Sequence, residues 1–251
     1  MDLQVLVSTM HQKDYSIIEK MNINSDAIII NQCDRFEYKK INYKGNSIDF
    51  FSFAERGVGL SRNTALMRAT ADICLFADED MVYVDNYKEI VINAFKENPK
   101  ADMILFNVPS KNPERPTCQI VTKGKVRWYN CFRYGAVNIA VKTEKLKKRN
   151  IYFSLLFGGG AKYSAGEDSM FIADCLRKGL KIYTHPAIIG YVTQENSSWF
   201  EGYTDKYFID KGAFYGLLSR RWAKLLCLQF ALRHRNMFKE DKTWFEAFLL
   251  M

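Results

Sequence analysis

The chain has 251 residues, 48% apolar and 25% charged, with 36 Lys and Arg against 28 Asp and Glu for a net charge of +8. This composition excludes a wholly disordered protein, and the length suffices for one full α/β core. The positive balance points to acidic partners such as nucleotide diphosphates or anionic lipid. Nucleic acid is not expected, because the first two hundred residues hold no zinc-finger spacing, RNP-like aromatic motif or dense basic recognition helix.

In chain order, Leu3–Ser8 and Ala27–Ile30 are expected as buried strands, with a polar helical stretch around Asp14–Lys20 between them. Ile48–Phe53 is a third strand and Gly59–Ala71 has helical character. The apolar run Ile73–Ala77 is a fourth strand and leads directly into Asp78-Glu79-Asp80. Asp85 is expected to cap a helix over Asn86–Asn98, where Tyr87, Ile90, Val91, Ala94 and Phe95 keep helical spacing and Pro99 ends the run. Met103–Val108 is the next strand. Residues 109–135, with three prolines, break the rhythm, and Val137–Val141 resumes it. Gly158-Gly159-Gly160 is a flexible loop, Glu167–Lys178 a helix closed by Gly179, and the chain from Asp205 onward is helical, aromatic and basic.

This alternation predicts an α/β fold: a Rossmann-like, mostly parallel sheet covered by helices on both faces, with a helical C-terminal extension. The expected division is residues 1–212 as one catalytic domain and 213–251 as a basic and aromatic helical segment. The six cysteines are scattered without a C-x-x-C pair and fit buried free thiols in a reducing compartment. Met1-Asp2-Leu3-Gln4 has no basic leader and no window approaches eighteen apolar residues, so a cytoplasmic body is expected.

Four motifs carry chemistry. Charges ending a buried strand project from the rim of the sheet, where open α/β folds place ligands. Asp78 and Asp80 there suit a hard cation such as Mg²⁺ or Mn²⁺ that also holds a diphosphate, or else form a solvated turn. Gly57-Val58-Gly59-Leu60-Ser61-Arg62-Asn63 opens a helix, where glycines admit close backbone approach. Arg62 early in that helix opposes the dipole, so an acidic partner is expected, either the triplet or a phosphate. Gly166-Glu167-Asp168-Ser169 starts a later helix; its acids either complement the dipole or supply a general base. Trp199, in Ser197-Ser198-Trp199-Phe200, offers a ring for sugar stacking or plugs the core. His11, His185 and His234 are dispersed and do not form a metal motif.

Taken in this order, Val5–Thr9, Gly57–Asn63, Asp78-Glu79-Asp80 and Gly166-Glu167-Asp168 resemble the GT-A glycosyltransferases of family 2, the bacterial group that builds capsules and exopolysaccharides. The resemblance covers roughly residues 3–212, and Ser197–Gly202 is similar to the final loop of capsular-type members. It implies that Thr9 and the Asn31-Gln32-Cys33-Asp34 segment hold uracil, Asn31 and Asp34 among them, although the family usually has two Asp where Asn31 and Gln32 stand. It also implies Arg62 and Asp78 on the donor, Asp78 and Asp80 at a Mn²⁺ or Mg²⁺ ion, Glu167 and Trp199 toward the acceptor, and Asp168 as catalytic base. Several relatives add a late His to the metal; Tyr191-Val192-Thr193-Gln194 has none, which leaves the third ligand open.

The implied reaction is inverting, metal-dependent transfer of a sugar from a nucleotide-diphosphate donor, uridine-linked, to a glycan or lipid-linked glycan. A sugar nucleotidyltransferase is the alternative enzyme, yet its glycine-rich loop follows the first strand, where Ser8-Thr9-Met10-His11-Gln12 stands here without glycine. A polysaccharide- or lipid-binding module would not need both acidic motifs. In the C-terminal segment, Leu218, Trp222, Leu225, Leu226 and Gln229 fall near one helical face beside Arg220, Arg221 and Lys224. That pattern fits either a packed helix or peripheral contact with the inner face of the cell membrane. The oligomeric state is not legible.

Overall fold

The computed structural model describes residues 1–194 and 202–251, so Trp199 and the expected final loop lie outside the described residues. In chain order the first half contains β1 (Leu3–Met10), α1 (Ile17–Lys20), β2 (Asp26–Gln32), β3 (Glu37–Tyr43), β4 (Asn46–Phe53), α2 (Val58–Arg68), β5 (Ile73–Asp78), β6 (Met81–Tyr83), α3 (Tyr87–Glu97) and β7 (Met103–Asn107). The second half contains β8 (Gly124–Lys125), β9 (Ile139–Lys142), α4 (Thr143–Lys148), α5 (Glu167–Arg177), β10 (Ile182–Ile188), β11 (Gly190–Val192), α6 (Asp205–Leu218), α7 (Ala223–Arg233) and α8 (Trp244–Leu250).

Among the described residues the main sheet runs β3-β4-β2-β1-β5-β9-β7-β10-β8, and β6 pairs with β11 in a separate ribbon. β4, β2, β1 and β5 are mutually parallel. β9 inserts antiparallel between β5 and β7, and β10 is parallel to β7, so all these strands except β9 point the same way. Their carboxyl ends therefore line one edge, the edge at which such sheets bind ligands.

The near-continuous apolar runs follow from burial on both faces. On β1 and β2, Val5, Val7, Ala27 and Ile29 join one core layer with Leu75 and Phe106, while Leu6, Ile28 and Ile30 join the other with Phe76 and Phe171. Side chains alternate faces along a strand, so a single strand feeds both layers. In the second layer Phe153 and Phe171 stack at 4.0 Å, and Phe76 meets both edge-on. All six cysteines are free.

Among the strands the sequence does not delimit, β3 and β10 have clear physical reasons. β3 is an exposed edge strand, Glu-Tyr-Lys-Lys-Ile-Asn-Tyr, whose polar residues blunt the sheet edge and hide the apolar alternation. β10 contains His185 and Pro186 inside its span; the register shifts between His185 and Ile188, an irregularity that accommodates a residue lacking an N–H donor. Two further differences concern helices. Asn86, not Asp85, occupies the cap position of α3, and the Asp85 carboxylate instead accepts from Asn22 Nδ2 at 2.8 Å. The division expected at 212/213 falls inside α6, whose Phe214 packs on Phe157 of the catalytic half at 6.2 Å.

Candidate active site

Asp78 is the last residue of β5, and Arg62 is the fifth residue of α2, in its second turn rather than its first; α2 packs against β1 and β2. The Arg62 guanidinium joins three carboxylates. Its Nη2 donates to Asp78 Oδ1 and Oδ2 at 2.8 and 3.0 Å, and its Nη1 donates to Asp168 Oδ1 at 2.7 Å and Glu167 Oε1 at 3.3 Å. Arg62 is only 3% exposed and lies 5.2 Å from the Phe153 ring. Burial disfavours its charge, yet the three carboxylates more than offset this and hold its pKa above the ordinary arginine value. The acidic partner that its place in the helix called for is thus both acidic motifs at once.

Glu167 and Asp168 open α5 after Gly166, which adopts φ +122°. Burial pushes both carboxyls up against the downward pull of Arg62; Asp168 also raises Glu167, to about 7. The backbone N–H of Ala136 also bonds Asp168 and favours its ionised form. A Cβ at Gly135 would lie 3.4 Å from Asp168 Oδ2, so the 135–136 backbone forms a wall beside the Asp168 carboxylate. No sequence pattern around Gly135 and Ala136 announces this role.

The glycine-rich loop closes over the same place. At Gly158, with φ +98°, a Cβ would fall 2.8 Å from Glu167 Cδ and 2.6 Å from Val58 Cγ1. The Val58 N–H donates to the Gly159 carbonyl at 2.9 Å, which ties this loop to the start of α2. At Gly59 a Cβ would meet the Ser154 carbonyl oxygen at 2.5 Å, so only glycine lets α2 approach that backbone.

Asp80 stands apart from Arg62. Burial and the charge of Asp78 raise its carboxyl, and no cation lies within ion-pair distance of it among the described residues. The Gln194 N–H donates to Asp80 Oδ2 at 3.2 Å, and β11 pairs with β6 immediately after Asp80. The 191–194 stretch compared above for a third metal ligand is therefore packed against Asp80 itself. No group of three or more His, Cys, Asp or Glu side chains is arranged as a metal site among the described residues. The oxygen-only donor set nevertheless fits Mg²⁺ or Mn²⁺, ions held by one or two carboxylates with substrate phosphates completing the shell. Both Asp78 oxygens accept from Arg62, whereas among the other described residues the Asp80 side chain accepts only from the Gln194 N–H.

The expected nucleobase residues divide. Asp34 is exposed on the rim after β2. Thr9 is buried, and its hydroxyl donates to Glu79 Oε2, which also accepts from the Met10 N–H at 3.1 Å and Gln12 Nε2 at 3.2 Å. Glu79, given no role by the motif, thus pins the loop after β1. Asn31 is fully buried: its Oδ1 accepts from the Gln12 N–H at 2.9 Å, and its Nδ2 donates to the Gln12 carbonyl and Ser52 Oγ, each at 3.1 Å. The Asn31 amide, expected at the uracil, is thus engaged through both its oxygen and its nitrogen with the loop after β1 and with Ser52. Gln32 Nε2 likewise donates to the Gly57 carbonyl at 3.1 Å. Arg56 Nη2 lies 3.2 Å from His11 Nε2 across the cleft rim, a pairing invisible at a sequence separation of 45. His185 is elsewhere, against Phe106 at 5.4 Å.

The fold has solved relatives. The structure of S. aureus TarS residues 1–349 in complex with UDP-GlcNAc aligns with TM-score 0.70 at 16% identity, covering 98% of this chain and 79% of that one. A structure titled simply S. aureus TarS aligns at 0.65 and 15% identity, covering 93% of this chain and 43% of that one. The mannosyltransferase PcManGT from Pyrobaculum calidifontis, in complex with GDP-Man and Mn²⁺, aligns at 0.51 and 13% identity, covering 84% and 61%. No curated protein matches the sequence. The family model for glycosyl transferase family 2 matches residues 15–153, more than half of the chain and inclusive of Arg62, Asp78 and Asp80. This protein belongs to glycosyl transferase family 2, a glycosyltransferase with the GT-A fold.

Proposed function

We propose that this glycosyltransferase is inverting and metal-dependent, and that it moves a sugar from a uridine-diphosphate donor to a hydroxyl of a glycan or lipid-linked glycan. One observation carries the reading: Arg62 bridges Asp78 to Glu167 and Asp168, which places a carboxylate base one guanidinium away from the donor-side carboxylate. Asp168 takes the proton of the acceptor hydroxyl as it attacks the anomeric carbon from the face opposite the leaving diphosphate. Glu167 faces the acceptor beside it, and Trp199 is assigned to the acceptor as well. Asp78 faces the ribose, with Thr9 and Asp34 at the base. A uridine donor is supported by the UDP-GlcNAc bound to TarS. Asp80 would hold the divalent cation, which when bound neutralises charge on the leaving diphosphate; the Mn²⁺ in PcManGT supports this choice.

The metal assignment has a direct check. Asp80→Ala is expected to abolish transfer and to remove the Mn²⁺-dependent gain in UDP affinity while leaving the thermal midpoint near the wild type. Equal UDP affinity with and without EDTA in the wild-type protein would return the acidic triplet to a solvated turn.

The C-terminal helices support the expected contact with anionic membrane. No helix among the described residues is long and apolar enough to cross a bilayer. Leu218 is buried and Leu226 half-buried, unlike the face expected from spacing, whereas Trp222, Leu225, Leu232, Phe245 and Leu249 are exposed. Arg220, Arg221, Lys224 and Arg233, close to Trp222, Leu225 and Leu232 in sequence, are exposed as well. Exposed aromatic and aliphatic groups beside cations bind an anionic interface without spanning it. Flotation with phosphatidylglycerol vesicles at low salt, lost in Trp222→Glu/Leu225→Glu, is the expected result; flotation unchanged by that double substitution would sink this assignment.

A further inference from the structure

Between Glu114 and Glu144 the sequence has no acidic residue, yet it carries Arg115, Lys123, Lys125, Arg127, Arg133 and Lys142. This cationic segment ends beside Asp168, which the Gly135–Ala136 backbone walls. Three of its four aromatic residues are open: Trp128 is 47% exposed, Tyr129 81% and Phe132 41%, while Tyr134 is buried. Phe132 packs edge-on to Phe214 at 6.3 Å, and the Phe214 ring lies 2.7 Å from a Cβ placed on Gly166, the residue before Glu167. At the other end the Trp128 ring lies 5.8 Å from the Arg177 guanidinium, in the last turn of α5. The segment thus follows α5 from its start to its end, about 16 Å at 1.5 Å per residue. Two cations in this run are already committed: Lys123 pairs with Glu97 and Lys142 donates to the Pro99 carbonyl. Arg127 and Arg133 are exposed and have no carboxylate within ion-pair distance among the described residues.

We propose that this segment is the acceptor track, and that the acceptor is an extended anionic glycan whose rings rest on Phe132 and Tyr129 and whose phosphate or carboxylate groups meet Arg127 and Arg133. The proposal rests on the glycosyltransferase reading of Asp168 and specifies its substrate class. Aromatic faces carry the apolar faces of sugars, while the planar guanidinium forks onto an oxyanion through two parallel donors. A single sugar at the base would need neither the length of the track nor its charge. Basic residues interleaved with aromatics also suit single-stranded nucleic acid, but the run ends at the base pocket of a sugar-transfer site.

Isothermal titration of the full chain with phosphomannan, polygalacturonate and neutral dextran tests this. Binding of either anionic glycan at least ~10-fold tighter than dextran is expected, with a similar loss in Arg127→Ala/Arg133→Ala, the scale of one or two charge-assisted contacts. The tighter of the two identifies phosphate or carboxylate as the recognised group. Lys39→Ala/Lys40→Ala, which removes equal charge from the exposed β3 edge, controls for bulk electrostatics. Tyr129→Ala, at the most open ring, is expected to weaken the same glycan without altering the thermal midpoint. Equal losses in the two double variants, equal dextran binding, or tighter binding of oligo(dT) than of either glycan would each overturn the proposal. UDP titration in Mn²⁺ on wild-type protein separates the two levels: glycan binding without UDP binding fails the donor reading, and UDP binding without glycan selectivity fails the track.

Discussion

Asp168→Asn is expected to lower turnover by at least ~10²-fold, the usual share of a general base, while UDP affinity in Mn²⁺ stays near the wild-type value. The amide keeps the shape and one acceptor oxygen, which serves Arg62 Nη1, so folding and donor binding are expected to persist. What is lost is proton acceptance. The pH dependence gives a second readout. Burial holds the Asp168 and Glu167 carboxyls above the ordinary carboxylate range, Glu167 at about 7. The active form is the ionised one, so a raised pKa moves the acid limb of kcat/KM upward: activity falls at a pH above the ordinary carboxylate range as pH is lowered. The limb belongs to the pair, because the two carboxylates titrate together. An acid limb at the ordinary carboxylate position, or near-wild-type turnover in Asp168→Asn, would reduce Asp168 to a first-turn acid complementing the dipole of α5.

Arg62→Met is expected to damage both stability and turnover. One guanidinium compensates Asp78, Glu167 and Asp168, and it is almost wholly buried. Removing one partner of a buried ion pair costs about 3–5 kcal/mol, or a fall of about 10 °C in Tm for a chain of this size. Protonation of the orphaned carboxyls relieves part of that cost and fixes the direction of the kinetic change. Arg62 lowers the pKa of both Glu167 and Asp168, so without it their pKa values rise, fewer bases are ionised at a given pH, and the acid limb shifts to higher pH. Raising the pH should therefore recover part of the lost turnover. Arg62→Lys should rescue little, because an ammonium point charge does not present a planar fork to three carboxylates. A variant with unchanged Tm and an unmoved acid limb would refute the bridging role.

The sequence by itself determined the fold class and the order of the chemical motifs. Ile73–Ala77, Ala27–Ile30 and Met103–Val108 are nearly all apolar because the sheet is covered on both faces, and such runs announce buried parallel strands. Acids following such a run must emerge at the carboxyl edge, so the place of Asp78 and Asp80 in the fold was legible. Arg62 was legible because a cation early in a helix needs a reason. The tertiary structure alone decided which acid that reason was: Glu167 and Asp168 lie more than a hundred residues from Arg62, and α2 and α5 bring them to one guanidinium. It alone decided that Asn31 faces inward, since an amide near a strand end serves a ligand or a loop depending on what packs behind it, here Ser52 and Gln12. Glu79 looked interchangeable with its acidic neighbours until alternation along the chain turned it back onto Thr9. The Gly135–Ala136 wall beside Asp168 consists of backbone, and backbone donors carry no residue signature. Local periodicity is written in the sequence, whereas contacts between distant segments depend on how the packed layers bring them together.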